Sequence, residues 1–120
     1  MNVYTFISDL PASCEVMLTV RRGTIRRVAP RENLKVSCPV KHCGESLDVT
    51  WCKVVHINYC ERIHKTENVE IRQNYGKDNL ISYLSFKKVS VNDDGLYRCE
   101  VIGRTPELFS HAINISVSGV

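Results

Sequence analysis

The sequence predicts an all-β chain folded as two sheets packed face to face and pinned by disulfides. Three observations carry this. Asp93-Asp94-Gly95-Leu96-Tyr97-Arg98-Cys99 sets an acid, a glycine, a tyrosine and a cysteine at alternate positions, the side-chain period of a strand. Leu34-Lys35-Val36-Ser37-Cys38 and Val49-Thr50-Trp51 alternate in the same way and place a cysteine and a tryptophan on inward positions. Six cysteines in 120 residues is an even and high number, which in a small β-rich chain implies a disulfide framework and an oxidising compartment.

Asp93 and Gly95 favour a turn, because aspartate can bond its own backbone and glycine tolerates unusual φ. Tyr97 then starts a strand two residues before a core cysteine, the arrangement of a tyrosine corner. Cys38, Trp51, Asp93-x-Gly95-x-Tyr97-x-Cys99, in that order, form the pattern of an immunoglobulin-like β-sandwich of I-set or V-like type. The length suits one domain, expected over residues 14–118, with 1–13 as a poorly determined lead-in. The net charge of +3 is mild, and no basic stripe interleaved with aromatics points to nucleic acid. The first ten residues lack the basic and apolar regions of a signal peptide, and no apolar run reaches the length of a membrane span. The expectation is the outer domain of a larger secreted or membrane-anchored protein.

Strand A is expected over Cys14–Arg21, with Val16, Leu18 and Val20 inward and Glu15, Met17, Thr19 and Arg21 outward. First strands of sandwiches are usually edge strands. Gly23 to Asn33 reads as a loop or short extra strand. With Arg21 and Arg22 before it, this stretch carries Arg26, Arg27 and Arg31, either a solvated edge that discourages aggregation or a patch for an acidic partner or sulfated glycan. Strand B is expected over Leu34–Pro39, a connecting loop over Val40–Ser46, and strand C over Leu47–Val54. A turn around His56–Asn58 leads to Cys60 on strand C′. Residues 61–79 are polar, with room for a short strand D at Val69–Gln73. Strand E is expected at Leu80–Phe86, strand F at Leu96–Val101, the F–G loop at Gly103–Leu108 and strand G at Phe109–Ser118.

Six cysteines allow 15 pairings. Cys38 and Cys99 face inward on opposing sheets and form the inter-sheet bridge. Cys52 and Cys60 are expected nearly opposite each other across the C–C′ hairpin, as neighbours on an outer face. Cys14 and Cys43 fall at the same end of the sandwich. The expected framework is Cys38–Cys99, Cys14–Cys43 and Cys52–Cys60. A zinc reading of Cys52, His56, Cys60 and His64, spaced by four, requires a helix that the apolar pattern does not support. No nucleophile elbow, phosphate loop or helical His pair is visible, and His42, His56, His64 and His111 read as surface residues, so an enzyme is not expected and no cofactor is called for. Asn114-Ile115-Ser116 is a glycosylation sequon, and Asn114 should face out if Ile113 and Ile115 face in.

The segments Cys14-Glu15-Val16-x-Leu18, Cys38-Pro39-Val40-Lys41-x-Cys43, Val49-Thr50-Trp51-Cys52-Lys53, Cys60, Asn92-Asp93-x-Gly95-x-Tyr97-Arg98-Cys99 and Ser110-His111 resemble the ectodomains of the B- and T-lymphocyte attenuator family. All six cysteines have counterparts there. The resemblance runs over about residues 14–118, with a poor match at 61–79. It implies the same three bridges and a single-pass inhibitory receptor on the lymphocyte surface. It also implies a tumour necrosis factor receptor family ligand, herpesvirus entry mediator, whose cysteine-rich domain pairs with the first strand. On that strand the outward set is Glu15, Met17, Thr19 and Arg21, with Arg22 following, and Pro39, Asp48 and Glu107 match places the family uses nearby. This chain departs from the family at two of them, with Met17 replacing a glutamine and Asp48 a histidine. An edge strand has unpaired backbone groups that strand addition satisfies, while outward side chains set specificity. The competing expectation is an adhesion or innate-type immunoglobulin receptor that binds through its end loops or its C–C′–F–G face, with homodimer formation as one form of that binding.

Overall fold

Alternating apolar and polar side chains give ten strands among residues 14–118, the part of the chain that the computed structural model describes; the expected lead-in, 1–13, lies outside them. The strands are β1 (Met17–Leu18), β2 (Thr24–Val28), β3 (Leu34–Lys41), β4 (Asp48–His56), β5 (Tyr59–Arg62), β6 (Val69–Tyr75), β7 (Asn79–Phe86), β8 (Gly95–Ile102), β9 (Leu108–Phe109) and β10 (Ile113–Val117). One sheet has the order β1-β3-β7-β6, which are strands A, B, E and D. The other has the order β2-β10-β8-β4-β5, with β9 also paired to β8, and holds strands G, F, C and C′. The architecture is the all-β immunoglobulin-like sandwich that the sequence predicts.

The inward faces meet in one core. Cys38, Trp51, Leu80, Leu84, Cys99, Val101, Ile113 and Ile115 are fully buried in it. The indole N–H of Trp51 donates to the buried Ser82 hydroxyl at 2.9 Å, so its one polar atom is satisfied. Trp51 pairs with Cys99 across β4 and β8, and Cys38 pairs with Ser82 across β3 and β7. All three bridges form as expected, at Cys14–Cys43, Cys38–Cys99 and Cys52–Cys60.

The tyrosine corner has the form its spacing predicts. Val91–Asp93 makes a 3₁₀ turn, opened by Ser90 accepting from the Asn92 amide while Asp93 accepts from the Ser90 amide. The buried Tyr97 hydroxyl then donates to the Asp93 carbonyl at 2.6 Å. Burial, reinforced by the Asp93 and Asp94 carboxylates, holds the Tyr97 phenol well above its ordinary range, so it remains a donor. Tyr97→Phe is expected to lower the unfolding free energy by about 1 kcal/mol in a denaturant titration, with binding unchanged.

Several expectations need correction. Strand A is shorter than Cys14–Arg21. Its alternation of exposed and buried residues persists from Glu15 to Val20, but its ladder to β3 covers only Met17 and Leu18. The reason is Pro39. Thr19 donates to the Pro39 carbonyl at 3.0 Å, but proline has no N–H to return to Thr19, and the ladder stops there. For the same reason β3 runs through Pro39 to Lys41 instead of ending at it. The missing donor faces the edge, where proline is tolerated, and Val40, expected in a loop, is buried. The arginine-rich stretch is β2, which crosses to the second sheet and pairs in parallel with β10.

Strand G is interrupted. Ser110 is buried between β9 and β10, where its hydroxyl accepts from the Cys99 amide and donates to the His111 carbonyl. Val117, expected inward, is half-buried. Cys52 and Cys60 are diagonal neighbours, not opposite, because Val54 is the residue facing Cys60 and Arg62 the one facing Cys52. Cys52 is nonetheless wholly buried under its bridge. His42 is a core-side histidine and not a surface one. Its Nδ1 accepts from the Gly44 amide at 2.9 Å and its Nε2 donates to the Gly76 carbonyl at 3.0 Å, joining the B–C turn to the β6–β7 hairpin.

Candidate functional site

Among the described residues β1 is an outer strand with one partner, β3. In an antiparallel pair, backbone groups point alternately toward the partner and away from it. Met17 faces Lys41 and Thr19 donates to Pro39, so the amides and carbonyls of Val16, Leu18 and Val20 point the other way. Among the described residues no backbone hydrogen bond reaches that side of Leu18. Among the described residues, then, the Leu18 amide and carbonyl have no backbone partner at this sheet edge. Around them the exposed side chains of Glu15, Met17 and Thr19 line one face, and Met17 is 43 % exposed.

The structure brings some of the predicted residues together and leaves others apart. Glu15, Met17 and Thr19 share the β1 face, and Pro39 is the neighbour that terminates it. Glu107 is exposed immediately before β9, which lies alongside β1, so it belongs to the same end of the molecule. Arg21 and Arg22 are exposed in the turn that carries the chain over to β2, where the Thr24 hydroxyl donates to the Arg21 carbonyl. Asp48 stands apart, at the start of β4 and in register with Ile102 of β8, which separates it from β9. Arg26 has a local task. It donates to the Lys35 carbonyl at 2.9 Å, on the length of β3 that β1 is too short to cover.

The end carrying this edge is tied down. The Cys14–Cys43 bridge joins the root of β1 to the B–C turn, where Cys43 and Gly44 both take left-handed φ, +53° and +78°. Arg104 in the F–G loop lies 3.5 Å from the Glu45 carboxylate in the B–C turn. Side-chain alternation located the exposed face of β1. It missed which backbone groups are free, because that depends on the register to β3 and on the proline within it.

A second feature lies on the outer face of the other sheet. A cavity of about 470 Å³ is lined by Val54, Ile57, Tyr59, Arg98, Glu100 and Phe109, together with Asn58 and the Cys52–Cys60 bridge at Cys60. Burial holds the Glu100 carboxyl above the usual carboxylate range; Arg62 and Arg98 oppose the shift and Glu107 adds to it. No side chain at Cys52 or Cys60 is free to bind metal, since the two are joined to each other. Asn114 faces outward as expected but is half-buried, with Leu96 and Ile25 in register on either side of it.

No protein-family model matches the chain. It is similar to the human B- and T-lymphocyte attenuator, 28 % identical over 110 residues, and to the rat one, 30 % identical over 111. These alignments cover 90 % and 88 % of this chain but 36 % and 34 % of those proteins, so the chain spans about a third of the length of the curated relatives it matches. Among solved structures, the BTLA ectodomain superposes with a TM-score of 0.78 at 27 % identity, over 88 % of this chain and all of that one. An immunoglobulin chain from a complex of Dpr2 Ig1-Ig2 with DIP-Theta Ig1-Ig3 superposes at 0.70 with 16 % identity, over 86 % of this chain and 32 % of that one, a likeness of fold alone. Fold, disulfide framework and sequence together make the chain a divergent immunoglobulin-superfamily relative of the B- and T-lymphocyte attenuator ectodomain.

Proposed function

We propose that this domain is the ligand-binding ectodomain of a lymphocyte inhibitory co-receptor, held at the cell surface by a single membrane span. It binds a tumour necrosis factor receptor family ligand of the herpesvirus entry mediator type. Binding adds a strand of the ligand's cysteine-rich domain to β1. The observation that carries the reading is the backbone edge at Leu18, which has no partner among the described residues. A foreign strand supplies the missing hydrogen bonds, and Glu15, Met17 and Thr19 set specificity beside it. Met17 suits the task because an exposed, flexible apolar side chain can adapt to a partner surface. Arg21, Arg22, Pro39 and Glu107 flank the edge, and Asp48 is an outlying member of the set.

Surface plasmon resonance with the cognate entry mediator tests the reading. Glu15→Arg combined with Met17→Asp is expected to weaken binding by tenfold or more, about 1.4 kcal/mol, without changing stability. Undiminished binding by that variant removes the site. A folded wild-type domain that never binds removes the partner.

An N-linked glycan at Asn114 belongs to the same reading. It would cover Leu96 and Ile25, which are 43 % and 44 % exposed on either side of it. Protein secreted from mammalian cells is expected to carry a glycosidase-sensitive mass increment that Asn114→Gln removes. An unshifted wild-type mass refutes the assignment.

A further inference from the structure

The β1 edge leaves unexplained the opposite sheet, whose outer face holds the 470 Å³ cavity. Ile57 stands at its rim, in the two-residue turn between β4 and β5, and is 97 % exposed. Hairpin turns favour polar residues and glycine, and the fold has no use for an aliphatic side chain there. Tyr59 and Phe109, each 54 % exposed, line the same cavity, so the apolar surface is contiguous and not scattered. A knob thus stands beside a hollow on one face.

The charges on this face point to its occupant. Arg98 and Glu100 follow each other at alternate positions of β8, and Arg62 faces Cys52 on β5, so all three project from the outer side. None of the three makes an ion pair among the described residues. A face with an apolar centre and unpaired charges of both signs is complementary to itself. A two-fold axis is the arrangement in which residue i meets residue j and j meets i.

We propose that this face binds a second copy of the chain. Ile57 of each copy enters the partner copy's cavity against Phe109, and Arg98 of each meets Glu100 of the other. The interface involves β4, β5, β8 and β9, on the sheet opposite the one that holds β1, so a dimer carries two copies of the β1 edge. One small cavity per copy implies a weak, concentration-dependent association. The inference stands independently of the ligand assigned to β1.

Sedimentation equilibrium tests it on the secreted protein both with and without its Asn114 glycan, which would stand over Leu96, two residues before Arg98 on β8. The wild type is expected to show a monomer–dimer equilibrium. Ile57→Glu is expected to weaken it by about tenfold or more, with an unchanged thermal midpoint because the side chain is solvent-exposed. Arg98→Glu alone is expected to weaken the dimer, and Arg98→Glu combined with Glu100→Arg to restore it. A wild type that stays monomeric up to its solubility limit overturns the proposal. So does an Ile57→Glu variant that dimerises as the wild type does, or a double reversal no better than the single one. Loss of ligand binding with dimerisation intact bears only on β1.

Discussion

Trp51→Ala is expected to cost about 3–5 kcal/mol of folding free energy, enough to unfold much of the population of a small domain at body temperature. Trp51 is the largest side chain in the core and has no exposed surface. It sits on β4, is paired to Cys99 on β8, and donates to Ser82, which lies on β7 of the opposing sheet. Truncation therefore opens a cavity where the two layers meet. It also removes one of the two bonds to the Ser82 hydroxyl, leaving Gln73 at 3.3 Å. Trp51→Phe is expected to cost less, because the ring restores part of the volume but not the N–H. Urea titration of both variants checks the order. A loss below about 1 kcal/mol for the alanine variant would mean that the bridges alone hold the layers together.

Cys14→Ser combined with Cys43→Ser is expected to produce a stability loss of about 2–4 kcal/mol, by the chain-entropy account, together with loss of the ordered β1 edge. The closed loop has a sequence separation of 29. What makes this bridge matter for function is the weakness of what it supports. β1 has two ladder residues and one further bond, from Thr19 to Pro39. Without the tether to Cys43, so short a strand is left to hold itself against β3 and should fray. Hydrogen exchange at the Thr19 amide reads this directly and should accelerate more than exchange in β4 or β8. Binding of the entry mediator should fall with it, since an adding strand requires an ordered edge. Unchanged Thr19 protection would show that Val16, Leu18 and Val20 hold the strand by packing alone.

The sandwich was legible in the sequence because its determinants are local and periodic. Period-two alternation sorted Leu34, Val36 and Cys38, and later Tyr97, Cys99 and Val101, onto one side, and burial of those residues follows directly. The three bridges were legible for the same reason. Once strands and faces are assigned, each cysteine has one partner within reach, and the three predicted pairs are those that form. The exposed face of β1, with Glu15, Met17 and Thr19, also follows from alternation alone.

What alternation could not supply is anything set by which strand lies next to which. Backbone hydrogen bonds follow register, so the free groups at Leu18 emerged only once Met17 was placed against Lys41 and Pro39 against Thr19. The parallel pairing of β2 with β10, the break in strand G at Ser110 and the burial of His42 between two loops are likewise long-range. The cavity beside Ile57 is assembled from β4, β5, β8 and β9, whose residues are scattered along half the chain. The sequence by itself determined which residues face inward and which cysteines pair, since side-chain direction is a property of each strand alone. Only the tertiary structure decided which edge stays unpaired and where apolar surface collects, because both depend on neighbours that lie far apart along the chain.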